Sequence, residues 1–261
     1  MFRSLPLFFA VCLPLFTGPS IFAFDHQHPQ LGQLLSSAVH LQNNQSQVDY
    51  RWLKIHQNEL QSYLDQLSAV RLSEYQHWSE PEQLAFLINS YNSFTLSLIL
   101  SQYPDLSSIK ELGSWLSSPW KQEFFSLLGQ KRNLDWIEHK QLRAQFKEPR
   151  IHFAIVCASK GCPPLSPIPY QPALLDRQLE QATQRFLSDP SRNRYEPKSR
   201  TLYLSKIFDW FAEDFQSQAG SVPRFVAPWM GANQAQQTEL ATDKIQIQFL
   251  DYDWSLNQTA P

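Results

Sequence analysis

The clearest hydrophobic pattern in the chain is an almost uninterrupted apolar segment, LAFLINSYNSFTLSLIL, at residues 84–100. It predicts a helix over residues 80–102 that is apolar nearly all round and therefore central to the fold. The residues before it favour a helix start. Ser79 suits the N-cap, Pro81 the first turn, and Glu82 the third position after the cap.

Shorter patterns predict both helices and strands in the rest of the chain. Apolar positions three or four residues apart predict helices, whereas short apolar runs and strict alternation predict strands. Helices outweigh strands and do not alternate regularly with them, so the expected fold class is α+β. We expect one helix-rich domain with a small antiparallel sheet packed on the central helix. The predicted helices are 135–146, 172–188 and 206–215, the strands are 151–156, 201–205 and 244–254, and a hairpin at 124–134 turns at Gly129 and Gln130.

The first 46 residues divide into two segments of different composition. Residues 1–23 combine the basic Arg3 with an apolar core and predict a cleaved signal peptide, hence a periplasmic or secreted protein. Prolines interrupt the apolar run, which is too short to span a membrane well, so no membrane span is expected in the mature protein. Residues 24–46 are polar, rich in His and Gln, and predict a loose arm. Residues 47–261 then form the single domain.

Composition narrows the classes of partner. Of the 261 residues, 43% are apolar and 18% charged, which is typical of a globular protein. The net charge is −2 at pH 7 without any basic cluster, which argues against a nucleic-acid partner. No glycine-rich phosphate loop occurs in the sequence, and no cofactor is predicted. A peptide or small-molecule substrate is the expected partner, and the oligomeric state is left open.

Candidate chemistry lies in the segment RIHFAIVCASKGCPPL, residues 150–165. Cys157 follows a predicted buried strand and opens a loop of small residues, which is a plausible place for a reactive group. Backbone amides in such a turn can face a developing oxyanion, and Ser159 belongs to this loop. Cys157 is therefore the candidate nucleophile, and its thiolate requires a nearby imidazole or amide dipole.

Two histidines are candidates for the base. His152 is near Cys157 in sequence, but five positions along a strand put the two side chains on opposite faces unless the strand bends. His139 lies on the predicted helix beside Glu138. Neighbouring helical side chains diverge, so Glu138 is expected to orient His152 rather than His139.

Three further polar residues are candidates for binding the substrate or the oxyanion. Asn89 and Asn92 share one face of the central helix, where they would donate hydrogen bonds to an oxyanion or hold the imidazole. Alternatively, they satisfy backbone groups of neighbouring loops, because buried amides need partners. Arg150 suits a substrate carboxylate, although such residues more often form structural ion pairs.

Cys157 and Cys162 allow other interpretations. Four residues separate them, so they can form a disulfide, and an oxidising compartment would favour it. A reversible bond would make the pair a redox site or sensor. A zinc site would need His139, His152 and Cys157 to converge, which the spacing does not support, and no metal is predicted.

Five ordered motifs resemble the bacterial proteins of the domain-of-unknown-function 547 family and span about residues 48–257. The resemblance implies a fold related to papain-like and transglutaminase-like cysteine enzymes, without assigning catalytic residues. Papain-like enzymes have their nucleophile at the start of the central helix, where this chain has no cysteine. The motifs are FLINSYNSFTLSLIL, LDWIEHKQLR, PRIHFAIVCASKGCPPL, YLSKIFDWFAEDF and FLDYDWSLN.

Together these features favour a thiol-dependent hydrolase or acyl transferase that acts on a peptide or amide bond through Cys157. Two alternatives stay open. In the first, the chain is a non-catalytic binding module on a papain-like scaffold. In the second, it is a thiol redox or sensor protein that uses Cys157 and Cys162.

Overall fold

The computed structural model describes residues 23–113, 117–242 and 244–260. The predicted signal peptide lies outside these ranges except for its last residue. No helix within the ranges is long and apolar enough to cross a membrane. The α-helices are α1 Pro29–Ala38, α2 Tyr50–Ile55, α3 Gln57–Ala69, α4 Leu72–Tyr75, α5 Glu80–Leu100, α6 Arg143–Gln145, α7 Leu175–Leu187, α8 Ile207–Trp210, α9 Ala212–Ala219, α10 Val222–Met230 and α11 Gln234–Leu240. The strands are β1 Val39–Gln42, β2 Gln45–Val48, β3 Phe125–Leu127, β4 Gln130–Arg132, β5 Arg194–Glu196, β6 Thr201–Leu204 and β7 Gln246–Phe249.

The helix α5 is the predicted central helix. Both the backbone N–H and the hydroxyl of Ser79 donate to Oε2 of Glu82 at 2.7 Å, which supports the predicted helix start. From Leu84 to Leu100 every residue except Ser97 is buried. The helix therefore forms the axis of the main hydrophobic cluster, and α3 and a π-helix, Trp136–Leu142, pack against it.

A second hydrophobic cluster consists largely of phenylalanine rings. Phe153 packs against the rings of Phe186, Phe208 and Phe215, with centroids 5.3 to 5.8 Å apart. Ile151, two residues before Phe153, and Ala154, directly after it, belong to the main cluster instead. This segment of chain therefore runs between the two clusters.

The structure confirms the α+β class, with three small sheets within the described ranges. Two of them are antiparallel hairpins, β1–β2 and β3–β4. In the third, β5 pairs with β6 in antiparallel fashion, whereas β6 and β7 are parallel. The parallel pair departs from the predicted antiparallel sheet. It is possible because α8 to α11 carry the chain back before β7 begins, as a parallel pair requires.

Residues 24–46, where a loose arm was predicted, are largely structured. Helix α1 buries Leu31, Leu34 and Leu35, and the hairpin β1–β2 follows it. The hairpin turns at Asn43 and Asn44, whose φ angles of 48° and 62° are both positive. Two such residues form the tight turn that suits strand twist, and asparagine tolerates this conformation. The polar composition of residues 24–46 gave no pattern that predicted α1 or the hairpin.

The predicted strand at residues 151–156 is absent, and that prediction was wrong. Instead, a 3₁₀-helix spans Pro149–Phe153. Proline favours the first helical turn, and the Glu148 carboxylate accepts the Arg150 N–H at 3.1 Å. A short apolar run alone does not distinguish a buried strand from a buried helical turn.

Two other predicted elements differ in detail. The hairpin β3–β4 turns at Leu128 and Gly129, one residue earlier than predicted, and both have positive φ angles. The predicted helix 206–215 is interrupted at Phe211, which separates α8 from α9. This interruption matters for the site, because the Phe211 ring stacks on His152 with centroids 4.0 Å apart.

Candidate functional site

A cleft of about 200 Å³ lies where residues of the two hydrophobic clusters meet. All four residues predicted to be catalytic line it: Glu138, His139, His152 and Cys157. His152 and Cys157 share the cleft because the chain between them is not a strand, so the expected separation onto opposite faces does not arise. The fold thus brings together polar groups from distinct segments of the chain.

The π-helix Trp136–Leu142 supplies two of these groups. Its start is held by Asn133, whose Oδ1 accepts the Trp136 N–H at 2.8 Å. Each turn of a π-helix is wider than an α-helical turn, and such turns are frequent at functional sites. Glu138 is buried, with 8% of its surface exposed, whereas the side chain of His139 is 38% exposed.

Glu138 is an unusual carboxyl group. Burial raises its pKa to about 7, although a hydrogen bond from the Tyr91 hydroxyl to Oε2 at 3.2 Å opposes the shift. The other oxygen, Oε1, has no hydrogen-bond partner among the described residues. At neutral pH the group is therefore divided between its neutral and charged forms, and one oxygen is available to a ligand.

His152 is held by a carboxylate that the sequence did not point to. Its Nε2 lies 2.7 Å from Oδ2 of Asp214 on α9, and Arg143 binds the same carboxylate through two hydrogen bonds. Burial would raise the pKa of Asp214, but hydrogen bonds from His152 and Arg143 hold it well below its usual value. Asp214 is therefore ionised and accepts hydrogen bonds only.

This arrangement determines the tautomer of His152. Because Asp214 only accepts, Nε2 carries the hydrogen and Nδ1 is the nitrogen with a free lone pair. No described residue forms a hydrogen bond with Nδ1. Burial lowers the pKa of His152, while Asp214 opposes the shift, so the ring is neutral at neutral pH and suited to act as a base.

His139 is arranged differently. Its Nδ1 faces Nη1 of Arg143 at 3.1 Å, and because arginine only donates, Nδ1 is an acceptor that is already engaged. Its Nε2 lies 3.9 Å from Oδ1 of Asp135. Burial lowers the pKa of His139 as well. Of the two candidate bases, His152 is therefore the one whose unprotonated nitrogen, Nδ1, has no hydrogen-bond partner among the described residues.

Cys157 and Cys162 form a disulfide, with Cα atoms 6.2 Å apart. The two sulfurs differ in access, because Cys157 is partly exposed in the cleft whereas Cys162 is 3% exposed. The hydroxyl of Tyr252 lies 3.2 Å from both sulfur atoms. The structure thus presents the oxidised form of a pair that the sequence left open.

Close packing fixes the loop between the cysteines. A Cβ atom on Gly161 would lie 3.0 Å from the ring of Tyr252, so glycine permits this approach. Ala158 has a φ angle of 61°, which is left-handed backbone and uncommon for a residue with a side chain. Strained backbone of this kind often accompanies functional sites, and here it directly follows Cys157.

Aromatic side chains cover much of the cleft, and we call them the aromatic wall. Trp254 lies at their centre, with its ring 4.6 Å from Tyr252, 5.7 Å from Trp210 and 6.0 Å from Trp120. Trp210 is 46% exposed, which is high for a tryptophan. The members of the aromatic wall are Trp120, Trp210, Phe211, Tyr252 and Trp254.

The two asparagines of α5 bind backbone rather than the cleft. Asn89 makes two hydrogen bonds with the backbone of Tyr170, at 2.7 and 2.9 Å. Asn92 donates to the carbonyl of Ala154 at 2.9 Å and accepts the N–H of Val156 at 2.8 Å. Asn92 therefore holds the segment that leads into Cys157.

The remaining predicted binding residues lie outside the cleft lining. Ser159 is buried, with its hydroxyl 3.3 Å from Sγ of Cys157. Arg150 binds Glu148 at 2.7 Å and Asp176 at 2.8 Å. Among the described residues, no three or more metal-binding side chains are placed to hold an ion.

The sequence analysis did not predict Asp214 or Tyr252 as residues of the site. Both lie in aromatic-rich motifs, DWFAEDF and LDYDW, in which no site residue was predicted. Asp214 follows Glu213 in the largely polar helix AEDFQSQA, so no local signal distinguished it. Nothing local connects it with His152, which is 62 residues away.

The family described as "Protein of unknown function, DUF547" matches residues 75–187. The match includes α5, the π-helix and both cysteines, and it ends before Asp214 and Tyr252. No curated protein and no solved structure matches the chain. The relation to papain-like and transglutaminase-like enzymes stays a prediction.

Proposed function

The chain belongs to the DUF547 family through residues 75–187, and from that premise we propose that its cleft is a thiol-dependent acyl-transfer or amide-hydrolysis site. Reduced Cys157 is the nucleophile, His152 the base, and Asp214 the residue that orients it. One observation carries the proposal: Cys157 and His152, whose imidazole is held by the Asp214 carboxylate, line the same cleft. The substrate is a peptide or another amide.

The proposed reaction needs one proton carrier. Nδ1 of His152 takes the thiol proton, and the thiolate attacks the carbonyl carbon of the amide. The C–N bond then breaks, and the departing amine takes the proton from Nδ1. Water attacks the resulting thioester and gives a proton to Nδ1, which returns it to the departing sulfur. Asp214 stays ionised throughout and stabilises the imidazolium.

This chemistry requires the disulfide to be opened first. A dithiol reductant would take both sulfurs to thiols and would itself become a disulfide. Cys157 is the more accessible sulfur and is the expected point of attack. We also propose, from residues 1–23 alone, that the protein is exported, in which case an oxidising compartment would favour the closed form.

Alkylation after mild reduction tests the proposal. We would treat the Cys162→Ser variant with iodoacetamide from pH 5 to pH 9 and follow Cys157 by peptide mass spectrometry. We expect labelling at least one pH unit below the usual thiol pKa of about 8.5. Replacing His152 by Ala should move the profile up to that value, whereas His139→Ala should change it little.

An ordinary thiol profile in the folded Cys162→Ser protein, unchanged by His152→Ala, would rule out the proposed pair. Circular dichroism of each variant confirms that the fold is kept. Asp214→Asn serves as a second variant, because an amide would stabilise the wrong imidazole tautomer and should also raise the labelling pH.

The disulfide itself favours a second function, thiol–disulfide exchange. An accessible sulfur beside a buried one is the arrangement that exchange requires, since one sulfur is attacked and the other resolves. Acyl transfer does not need the Cys162 sulfur, whereas thiol–disulfide exchange requires it. Turnover that survives Cys162→Ser supports acyl transfer, and turnover of a dithiol substrate that is lost in that variant supports exchange.

A further inference from the structure

We propose that the cleft recognises an alkylammonium group of its substrate, held between the aromatic wall and the carboxylates of Glu138 and Asp135. The inference deepens the proposed function, because it names the chemical class of the group that enters the same site. A lysine side chain or the amino terminus of a peptide has this chemistry.

The charges of the cleft favour a cation. Among the described residues that line it, the carboxylates are Asp135 and Glu138, and no lysine or arginine occurs. Both histidines in the lining are neutral at neutral pH, because burial lowers the pKa of each. Arg143 lies nearby, but its guanidinium is bound to Asp214. A carboxylate ligand would therefore meet only like charge, whereas an ammonium would meet opposite charge.

Glu138 has the geometry of a ligand-binding group rather than of a structural one. It is more than nine-tenths buried, it lines the cleft, and its Oε1 has no hydrogen-bond partner among the described residues. Oε1 is not sealed from solvent, so a group that enters the cleft can reach it. An ammonium supplies three N–H donors and a full charge, so it would satisfy this oxygen.

The aromatic wall suits an organic cation better than a strongly hydrated ion. Ring faces attract ammonium groups, and tryptophan does so most strongly. The aromatic wall already displays this affinity, because Nζ of Lys110, a residue outside the cleft lining, lies 4.8 Å from the centre of the Trp254 ring. The methylene groups of an alkylamine would pack against the same rings, which a metal ion cannot do.

Titration with small ligands tests the inference without any thiol chemistry. We would record indole N–H signals of ¹⁵N-labelled protein at pH 8 during addition of n-butylammonium, n-butanol or butanoate. We expect butylammonium to bind at least about fivefold more tightly than butanol and to shift the cleft tryptophans, because cation–π and ion-pair contacts add to apolar packing. Butanoate should bind most weakly.

Variants separate the contributions. Glu138→Gln should remove most of the preference for ammonium over alcohol, whereas Glu59→Gln, on the exposed face of α3, should leave it intact. Equal binding of butanol, tighter binding of butanoate, or no shift of the cleft signals at any concentration would overturn the inference.

Failure of the inference differs from failure of the proposed function. Cys157→Ala abolishes acyl transfer but leaves both carboxylates and the aromatic wall in place. Ammonium binding in that variant supports the inference whatever the thiol does. Low-pH alkylation of Cys157 without any ammonium preference would overturn the inference alone.

Discussion

At the scale of single residues, the protonation state of one group in the site determines what its neighbour can do. Asp214 is ionised because His152 and Arg143 donate to it, and it thereby makes Nδ1 of His152 the basic nitrogen. No cation among the described residues binds Glu138 in this way, and burial is the main cause of its raised pKa. These two carboxyl groups have opposite pKa shifts within one region of the fold, a pattern typical of functional sites.

Glu138 should make stability depend on pH in a defined direction. Its pKa in the folded state, about 7, lies above its usual value of 4.5. Between these values the folded protein holds a proton that the unfolded chain releases, so stability decreases as pH rises and the loss is complete above pH 7. Glu138→Gln should match the native protein near pH 4 and exceed it at pH 8 by roughly 3 kcal/mol at most.

Urea denaturation at a series of pH values measures this difference. The control is Glu59→Gln, whose exposed side chain should give a difference that does not vary with pH. A native protein that is more stable than Glu138→Gln at pH 8 would contradict the prediction, since ionised Glu138 would then stabilise the fold.

At the scale of elements, α5 does more than fill the core. Its two buried asparagines each hold a separate loop through paired backbone hydrogen bonds, Asn89 at Tyr170 and Asn92 at residues 154–156. The second loop joins the 3₁₀-helix that carries His152 to Cys157. The central helix therefore holds the site from behind through its asparagines and contributes Tyr91 to the cleft lining.

Asn92→Ala should destabilise the fold strongly, although it removes only a few atoms. It leaves the Ala154 carbonyl and the Val156 N–H buried without partners, which costs about 2–4 kcal/mol for the two groups together. Urea denaturation gives the value, and hydrogen exchange at Val156 should quicken. Asn58→Ala, on an exposed face of α3, should stay within about 0.5 kcal/mol. A loss below 1 kcal/mol for Asn92→Ala would contradict the assigned role.

At the scale of the whole molecule, the final segment of the chain joins distant parts. The carbonyls of Ser255 and Asp253 accept the N–H groups of Lys160 and Gly161, both at 2.8 Å. The Asn257 carbonyl accepts the Val48 N–H at 2.8 Å, and its side chain accepts the buried Tyr50 hydroxyl at 2.7 Å. The cysteine loop, the first hairpin and α2 are thus connected through a few residues.

We expect the protein to unfold as one unit because of these connections. Asn257→Ala should lower the free energy of unfolding by about 1–3 kcal/mol, since the Tyr50 hydroxyl loses its acceptor. The far-ultraviolet circular dichroism and tryptophan fluorescence transitions should move together in urea. Gln258→Ala, with an exposed side chain, is the matched control. Two separate transitions, or a shift in one probe only, would mean two independent units.

Local information in the sequence was enough for much of the fold. The apolar run and the residues around Ser79 determine α5, because a helix start and a buried face depend on neighbours within one or two turns. The same holds for α7 and for β3–β4 within a residue. Local patterns failed at residues 151–156, where a short apolar run fits both a strand and a buried helical turn.

The sequence by itself determined the kinds of chemistry available: a cysteine loop, two histidines, a carboxyl group beside one of them, and two asparagines that needed polar partners. It did not determine which of them would meet. The pairing of His152 with Asp214, the contact of Tyr252 with both sulfurs and the parallel partner of β7 all join residues that are distant in the chain. Such contacts depend on how every intervening element packs, and no local preference encodes that.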